Sequence, residues 1–206
     1  MHRTHRFASR LHNYMEPAFE RLFDLDTAPL RRVVDRSEPD LIDGRRIADA
    51  VQRQLDEAVT QLREADIVPR LAFVQVGHDP ASDVYVDNKR KTCRNIGIES
   101  DHVRLSEDVA QKDVLETLDG LSADPSVHGV LLQLPLPNEL EEQTCLARIP
   151  AHKDVDGFHP HNLGSMLAGY SRLEPCTPRG IMTLLRAIDF DPEGQQAVVV
   201  GRSRIV

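Results

Sequence analysis

From residue 41 onward, the apolar positions of the chain follow two alternating periods, one typical of helices and one typical of buried strands. An apolar stripe with spacings of three or four residues predicts a long helix that ends near Asp66; its members are Ile47, Val51, Leu55, Val59 and Leu62. Residues 71–76, after Pro69, form a short and largely apolar run closed by Gly77, which predicts a buried strand.

The alternation continues to the end of the chain. Asp79 and Pro80 are typical of a helix start, and that helix is predicted to end near Asn95. The pattern predicts three more helices, over 109–121, 139–148 and 177–185, and three more strands, over 103–105, 127–134 and 197–200. Strands that alternate with helices of this length indicate βαβ units, so the predicted fold class is α/β with a parallel sheet.

Residues 1–39 differ from the rest and are predicted to be a poorly ordered N-terminal extension. The first fifteen residues hold three arginines, three histidines and no acid, which resembles a transit peptide in charge only, because the apolar core of a secretory signal is missing. Residues 15–23 have the spacing of a short amphipathic helix. Poor order is favoured over targeting.

Composition narrows the function classes. A chain of 206 residues can bury a core but is too short for two full α/β domains. The net charge of -8 disfavours nonspecific binding to nucleic acid or anionic lipid, and no stretch approaches the length of a membrane helix. Three widely separated cysteines argue against a disulfide framework or a zinc ribbon and suit a reducing compartment, so a cytoplasmic location is expected.

Tyr85 and Lys89 are the first candidate for chemistry. They lie four residues apart in a predicted helix and therefore share one face. A phenol beside an ammonium suits a planar ligand, and a lysine with neighbouring positive charge, here Arg90 and Lys91, can act as an acid or base near neutral pH. On spacing alone, an exposed helix face with an extended lysine is the better interpretation.

Gln133 is the second candidate, because it interrupts the apolar run 130–137 at a predicted strand end. Its amide could bind a polar heterocycle or carbonyl, or it could cap loop backbone. The two interpretations are about equally supported, since ligands of parallel sheets bind at the carboxyl ends of strands.

Residues 153–161 bring carboxylates and imidazoles close together in sequence. A metal site formed by Asp154, Asp156, His159 and His161 is conceivable but weakly supported, because these residues sit on no regular scaffold. One of the carboxylates could instead accept a hydrogen bond from the N–H edge of a ligand ring.

The segment 198–203 is a predicted strand that runs into a glycine turn at Gly201. This is where a dinucleotide fold places its phosphate loop, and Arg202 could face a 2′-phosphate, which favours NADP over NAD. The full glycine fingerprint is absent, so an ordinary strand and turn is the better interpretation of this motif alone.

Five segments taken together, in this order, resemble the bifunctional methylenetetrahydrofolate dehydrogenase/methenyltetrahydrofolate cyclohydrolase family. The resemblance spans about residues 40–206 and rests on residues 85–91, 130–137, 153–160, 175–180 and 200–206. It implies a βαβ substrate domain with a parallel sheet, followed by the start of a Rossmann-like NAD(P)-binding domain. The implied boundaries are 40–157 for the folate-binding catalytic domain and 158–206 for a linker helix and the first strand of the second domain.

The resemblance also implies two reactions on tetrahydrofolate derivatives: NADP-dependent oxidation of 5,10-methylenetetrahydrofolate, then hydrolysis of the methenyl product to 10-formyltetrahydrofolate. By motif position, the implied catalytic residues are Lys89, Tyr85 and Gln133. The implied folate-binding residues are Tyr85, Gln133, Pro135 and Asp156, and the implied cofactor-binding residues are Gly201, Arg202 and Ser203. No metal is expected, and a homodimer is expected by resemblance only.

Two departures from the family bear on activity. Members continue for roughly another hundred residues, enough for most of a nucleotide-binding domain, and they usually lack a counterpart of residues 1–39. The chain is therefore expected to be an amino-terminal portion with little or no NADP-dependent dehydrogenase activity, because one strand cannot form a sheet. The alternative is a non-catalytic fragment that binds folate.

Overall fold

A computed structural model describes residues 26–34, 41–170, 173–201 and 203. They fall into two compact units. The first unit lies within residues 1–67 and 181–197, and the second within residues 68–180 and 198–206. This division follows contacts between residues, so the domain boundaries implied by the resemblance, 40–157 and 158–206, stay a prediction.

The first unit is helical. It contains α1 (Thr27–Arg32), α2 (Gly44–Glu64) and the residues from 181 onward of the last helix, which spans Cys176–Ala187. Asp43 caps α2 by accepting hydrogen bonds from the backbone N–H groups of its first residues. The fully buried Leu30 packs with Ile47, Ala50 and Ala187. The first part of the apolar stripe predicted for α2 thus faces this small core, and Val59 and Leu62, later in the stripe, are buried as well.

Helix α1 differs from the expectation that residues 1–39 are poorly ordered. It lies inside the segment 1–39, which the sequence predicts to be poorly ordered, yet Leu30 is fully buried and Asp26 caps the helix. The expectation of poor order therefore does not hold for residues 27–32. The helix predicted over 15–23 lies outside the described residues.

The second unit is built on a parallel sheet. Its strands are β1 (Arg70–Val76), β2 (Glu99–Leu105) and β3 (Gly129–Leu132), in the order β2-β1-β3, with β1 paired in parallel to both neighbours. The helices between and after the strands are α3 (Pro80–Asn95), α4 (Gln111–Ala123), α5 (Glu142–Arg148) and α6 (Pro160–Leu167), and α7 (Cys176–Ala187) begins in this unit. The predicted α/β class with a parallel sheet is confirmed.

Both faces of the sheet are covered, which explains why its central strands are almost continuously apolar. One face packs Ala72 and Val74 against residues of α4 and α5, including Leu118 and Cys145. The other face packs Phe73 against Val86 and Cys93 of α3, together with Leu131 of β3. Side chains alternate between faces along a strand, so β1 serves both cores with consecutive residues.

Two differences from the sequence prediction concern the later part of the chain. Helix α6 was not predicted, and the strand predicted over 197–200 is wrong: residues 196–201 have no regular structure. Val198, Val199 and Val200 are 89%, 77% and 95% exposed. Among the residues that the structure describes, none pairs with this run, and a single strand has no stability of its own. Within the described ranges, no helix is both long and apolar enough to cross a membrane.

Candidate active site

Lys89 and Gln133 meet at the carboxyl end of β3. The Lys89 ammonium donates a hydrogen bond to Gln133 Oε1 over 3.3 Å, although the two residues are 44 positions apart. Gln133 follows the last residue of β3, and its backbone N–H donates to the carbonyl of Val74 at 2.8 Å, which extends the sheet pairing by one residue. The strand end therefore fixes where this side chain begins.

The amide of Gln133 has a defined orientation. Its Nε2 donates to the carbonyl of Leu134 at 2.7 Å, and a carbonyl can only accept. Oε1 is therefore the atom left for Lys89. The amide therefore caps loop backbone, which is one of the two sequence interpretations of Gln133, and the binding of a ligand by this amide stays a prediction.

Tyr85 and Lys89 lie one turn apart on α3, at the margin of the face that packs on the sheet. Asp79 caps the helix by accepting from the backbone N–H of Ser82 at 2.8 Å, and Pro80 occupies the first turn. Val86 is fully buried against the sheet, whereas Tyr85 is 63% exposed and Lys89 is half-buried. The exposed phenol ring leaves an aromatic face free beside the lysine.

Ser82 ties the first turn of α3 to the loop after β3. This buried side chain donates to the carbonyl of Leu134 at 3.4 Å, the same carbonyl that Gln133 binds. Leu134 precedes Pro135, which is exposed, and the peptide bond between them is cis. Ser82 is not among the residues predicted for the site; its position three residues before Tyr85 in the predicted helix was the available signal.

Asp156 occupies a tight turn. The backbone N–H of Gly157 donates to the carbonyl of Asp154 at 3.3 Å, which closes the turn over Val155 and Asp156. Gly157 has a φ of +72°, and a Cβ atom there would lie 2.6 Å from the carbonyl carbon of Glu174. Only glycine fits this close approach of two backbone segments.

Asp156 is half-buried, and its carboxyl group interacts with Lys89, Asp154 and Cys176. Burial raises its pKa above the ordinary 3.8, the Lys89 ammonium opposes that effect, and the negative charge of Asp154 adds to it. Lys89 thus interacts with the Asp156 carboxyl through its charge and donates a hydrogen bond to the amide oxygen of Gln133. The structure brings together Lys89, Gln133 and Asp156, three of the predicted site residues.

Cys176, the first residue of α7, also belongs to this site. Its sulfur lies 3.6 Å from the carbonyl oxygen of Val155 and 3.9 Å from Asp156 Oδ1. Desolvation of the thiol and the nearby carboxylate of Asp156 raise the pKa of Cys176, so it is a poor nucleophile at neutral pH. Cys176 is not among the residues predicted for the site, although it lies in the segment 175–180 that contributes to the family resemblance.

The predicted cofactor residues are not organised into a site. Gly201 and Ser203 are exposed, no strand precedes them within the described residues, and Arg202 lies outside those residues. A phosphate loop needs a strand and a following helix to aim its backbone N–H groups. The described residues therefore do not form a nucleotide-binding surface at this position.

The alternative of a metal site receives no geometric support. Asp154 Oδ2 accepts from the backbone N–H of His159 at 2.7 Å, and His159 Nδ1 accepts from the backbone N–H of His161 at 3.0 Å. These contacts fix the start of α6. Over the described ranges, no group of three or more His, Cys, Asp or Glu side chains is arranged to hold a metal ion.

An expected effect on stability follows from the shielded carboxyl of Asp156. A carboxyl whose folded pKa lies above its unfolded value favours folding below the unfolded pKa, and this contribution is lost as pH rises through the folded pKa. Asp156→Asn should therefore unfold at higher urea than the parent protein at pH 7, and the gain should shrink as pH falls toward 3.8. Asp113→Asn is the control at an exposed position; because Asp113 lies in the first turn of α4, its replacement should leave the urea midpoint unchanged or slightly lower at pH 7. An equal gain in the urea midpoint of Asp156→Asn at pH 7 and near pH 3.8 would contradict the expectation.

Two family models match the chain. The catalytic domain of tetrahydrofolate dehydrogenase/cyclohydrolase matches residues 42–156, and the NAD(P)-binding domain of the same family matches residues 175–206. The first match covers the sheet, helix α3 and Asp156, and it therefore includes Lys89 and Gln133. The second begins at Pro175, directly before Cys176.

Curated relatives agree with this assignment. A bifunctional protein FolD from Moorella thermoacetica is 46% identical over 166 residues, which cover 81% of this chain and 59% of the relative. Another from Haloquadratum walsbyi is 43% identical, with coverage of 84% and 56%. The chain thus spans less than two thirds of the length of these relatives.

Solved structures show the same fold. The bifunctional enzyme FolD, a methylenetetrahydrofolate dehydrogenase/cyclohydrolase from Campylobacter jejuni, superposes with a TM-score of 0.78 at 42% identity, covering 80% of this chain and 59% of its own. The Trypanosoma brucei enzyme, complexed with NADP cofactor and inhibitor, superposes with a TM-score of 0.76 at 31% identity, covering 80% and 57%. The chain therefore belongs to the tetrahydrofolate dehydrogenase/cyclohydrolase family.

Proposed function

We propose that the second unit binds a one-carbon derivative of tetrahydrofolate and hydrolyses 5,10-methenyltetrahydrofolate to 10-formyltetrahydrofolate. The observation that carries this proposal is the 3.3 Å hydrogen bond between Lys89 and Gln133, with the shielded carboxyl of Asp156 acting on the same lysine. A basic group held beside an amide and a carboxylate suits a reaction in which protons must move while water attacks a cationic carbon.

The hydrolysis needs a base and then an acid. Water adds to the methenyl carbon, the bond from that carbon to N5 breaks, N5 receives one proton, and the second proton of the water is released. We assign the removal of a proton from the attacking water to the amine of Lys89 and the delivery of a proton to N5 to the ammonium so formed, while the remaining O–H proton leaves to solvent. Gln133 Oε1 accepts one Lys89 N–H throughout and keeps the nitrogen in place.

Tyr85 and Asp156 are proposed to hold the folate ring system. The exposed phenol of Tyr85, one helical turn before Lys89, offers a face for a planar ring. A pterin presents several N–H donors along one edge, and the shielded carboxyl of Asp156 is a strong acceptor for such donors. Binding of those donors would favour the ionised carboxylate and offset the cost of its burial.

The test is the rate of methenyltetrahydrofolate hydrolysis, measured by the loss of its absorbance. The purified chain should accelerate the reaction over a buffer of the same pH and composition. A rate equal to that of buffer, with a folded protein confirmed by circular dichroism, would contradict the proposed hydrolysis. Saturable binding of a folate without rate acceleration would support the alternative of a folate-binding fragment.

The dehydrogenase reaction is expected to be weak or absent in the 206-residue chain. Its NADP would need the loop at 201–203, but Val198, Val199 and Val200 are 77% or more exposed and form no sheet. No hydride-transfer step is therefore assigned to residues of this chain. Incubation with 5,10-methylenetetrahydrofolate and NADP should yield no NADPH above the rate without protein, whereas steady NADPH formation would refute the expectation.

A further inference from the structure

The turn that carries Asp156 is held in place by its neighbour, Asp154. Asp154 is 3% exposed and lies two residues before Asp156. The sequence pattern suggested a metal ligand at this position, and the structure gives it a different environment. Its backbone and its side chain each make contacts that restrict the turn.

The backbone of Asp154 connects the turn to the sheet. Asp154 forms a parallel bridge with Val130 of β3, and the carbonyl of the preceding Lys153 accepts from the backbone N–H of Val130 at 2.8 Å. The carbonyl of Asp154 itself accepts from Gly157 and closes the turn. The turn thus begins at a residue that is fixed to the edge of the sheet.

The side chain of Asp154 connects the turn to helix α6. Its Oδ2 accepts from the backbone N–H of His159 at 2.7 Å and from Asn162 Nδ2 at 2.9 Å. Asn162 is buried as well, and its Nδ2 also donates to the carbonyl of Ala151 at 2.9 Å. Buried polar groups that are fully paired keep a single geometry, because any other arrangement leaves a donor unpaired.

Lys153 fixes the backbone directly before the turn by binding the end of α4. Its buried ammonium donates to the carbonyls of Ser122 at 2.8 Å and Asp124 at 2.7 Å, at the end of α4. Cations are favoured at this end of a helix, where carbonyl groups lack helical partners. Residues 153 and 154 are therefore both anchored, and this restricts where Asp156, two residues later, can lie.

Asp154 also acts on Asp156 through its charge. The groups that face the Asp156 carboxyl are Lys89 from α3, Cys176 from α7 and Asp154 from the same turn. Like charges disfavour each other's ionised form, and the effect is weakly screened where water is excluded. The buried Asp154 thus influences both the position and the ionisation of its neighbour.

We infer that Asp154 is a positioning residue: its buried carboxylate, bound to His159 and Asn162, orients the turn so that the Asp156 carboxyl faces Lys89 and the bound ligand. The part that concerns the ligand rests on the proposed folate function. The contact network and the coupling of the two carboxyls do not, so they can be tested on the free protein.

The first experiment follows the titration of the Asp156 carboxyl by 13C NMR, with the signal assigned by its loss in Asp156→Asn. Asp154→Asn keeps an oxygen that can accept and removes the charge, so the midpoint of Asp156 should fall by about half a pH unit or more. Asp113→Asn, an exposed position on α4, should leave the midpoint unchanged. An unchanged midpoint in Asp154→Asn overturns the inference.

The second experiment measures binding of 5-formyltetrahydrofolate by calorimetry. Asp154→Ala removes the acceptor for His159 and Asn162 and should weaken binding about tenfold, the loss expected for one buried hydrogen-bonded group. Asp154→Asn should bind almost as the parent does at pH 7 and retain binding to lower pH. Parent-like binding and pH dependence in both variants overturns the inference. A parent protein that binds no folate, with the Asp156 midpoint still shifted by Asp154→Asn, refutes the proposed function only.

Discussion

Replacing Lys89 with methionine should lower the rate of 5,10-methenyltetrahydrofolate hydrolysis by about 10² to 10⁴-fold, the range typical for loss of a positioned acid–base group. Methionine keeps the length and apolar stem of lysine but cannot accept or donate the proton. Because Lys89 is only half-buried, whereas Val86 carries the packing on the core, the helix itself should remain intact.

Lys91→Met is the matched control for this substitution. Lys91 lies on the same helix and is exposed, so its replacement changes the net charge by the same amount away from Gln133. Lys89→Arg adds a second comparison, because a guanidinium keeps the positive charge but is not deprotonated in proteins. If Lys89→Met retained the parent rate, or if Lys91→Met lost as much, the role assigned to Lys89 would be wrong.

Gly157→Ala should destabilise the protein by about 3 kcal/mol and abolish folate binding. The added Cβ would lie 2.6 Å from the carbonyl carbon of Glu174 and 2.8 Å from the nitrogen of Pro175, in a backbone conformation with φ of +72°. Left-handed backbone costs a non-glycine residue about 1–2 kcal/mol, and an overpacked contact costs about 1–3 kcal/mol more. To relieve the contact, the turn would have to move and carry Asp156 with it.

Gly164→Ala provides the control, since Gly164 lies within α6 and a Cβ there would meet no atom within 4 Å. Alanine in a helix interior should stabilise by about 0.5–1 kcal/mol relative to glycine. Urea unfolding monitored by circular dichroism measures both effects, and calorimetry with 5-formyltetrahydrofolate measures binding. A Gly157→Ala protein as stable as the parent would show that the two segments separate at little cost.

The sequence pattern predicted those strands and helices that are buried evenly along their length or that begin with a clear local signal. The run 71–76 is buried on both faces, and Asp79 with Pro80 marks the start of α3 by local chemistry alone. Strand β2 was predicted only from 103 onward, because its first residues, starting at Glu99, are polar and lie at the edge of the sheet. Helix α6 is eight residues long and contains a glycine, so its apolar spacing is too short to recognise.

The strand predicted at 197–200 shows a case in which local propensity predicts an element that the structure does not contain. Three consecutive valines have strong β-propensity, but that propensity expresses packing against neighbouring strands rather than a property of the backbone alone. Where the described residues offer no partner, the run stays irregular and exposed. The composition of this segment shows that it can form a strand beside a partner strand. It does not show that the segment forms a strand without one.

The candidate site was only partly accessible from spacing. A four-residue interval places Tyr85 and Lys89 on one helix face, but no interval relates Lys89 to Gln133, which is 44 residues away. The resemblance to a family supplied that connection, and the topology explains it, since Gln133 and the helix after β1 meet at the carboxyl edge of adjacent strands. The positions of Cys176 and Asp154 needed the tertiary structure.

The orientation of the Gln133 amide has a stereochemical consequence. Because Nε2 donates to the carbonyl of Leu134, Lys89 faces an oxygen, and an amide oxygen only accepts. In the proposed hydrolysis, one direction around the Lys89 nitrogen is therefore occupied by Gln133 Oε1, and a proton exchanged with water or with the ligand has to use another direction. The amide thus limits the side of Lys89 from which the water can approach.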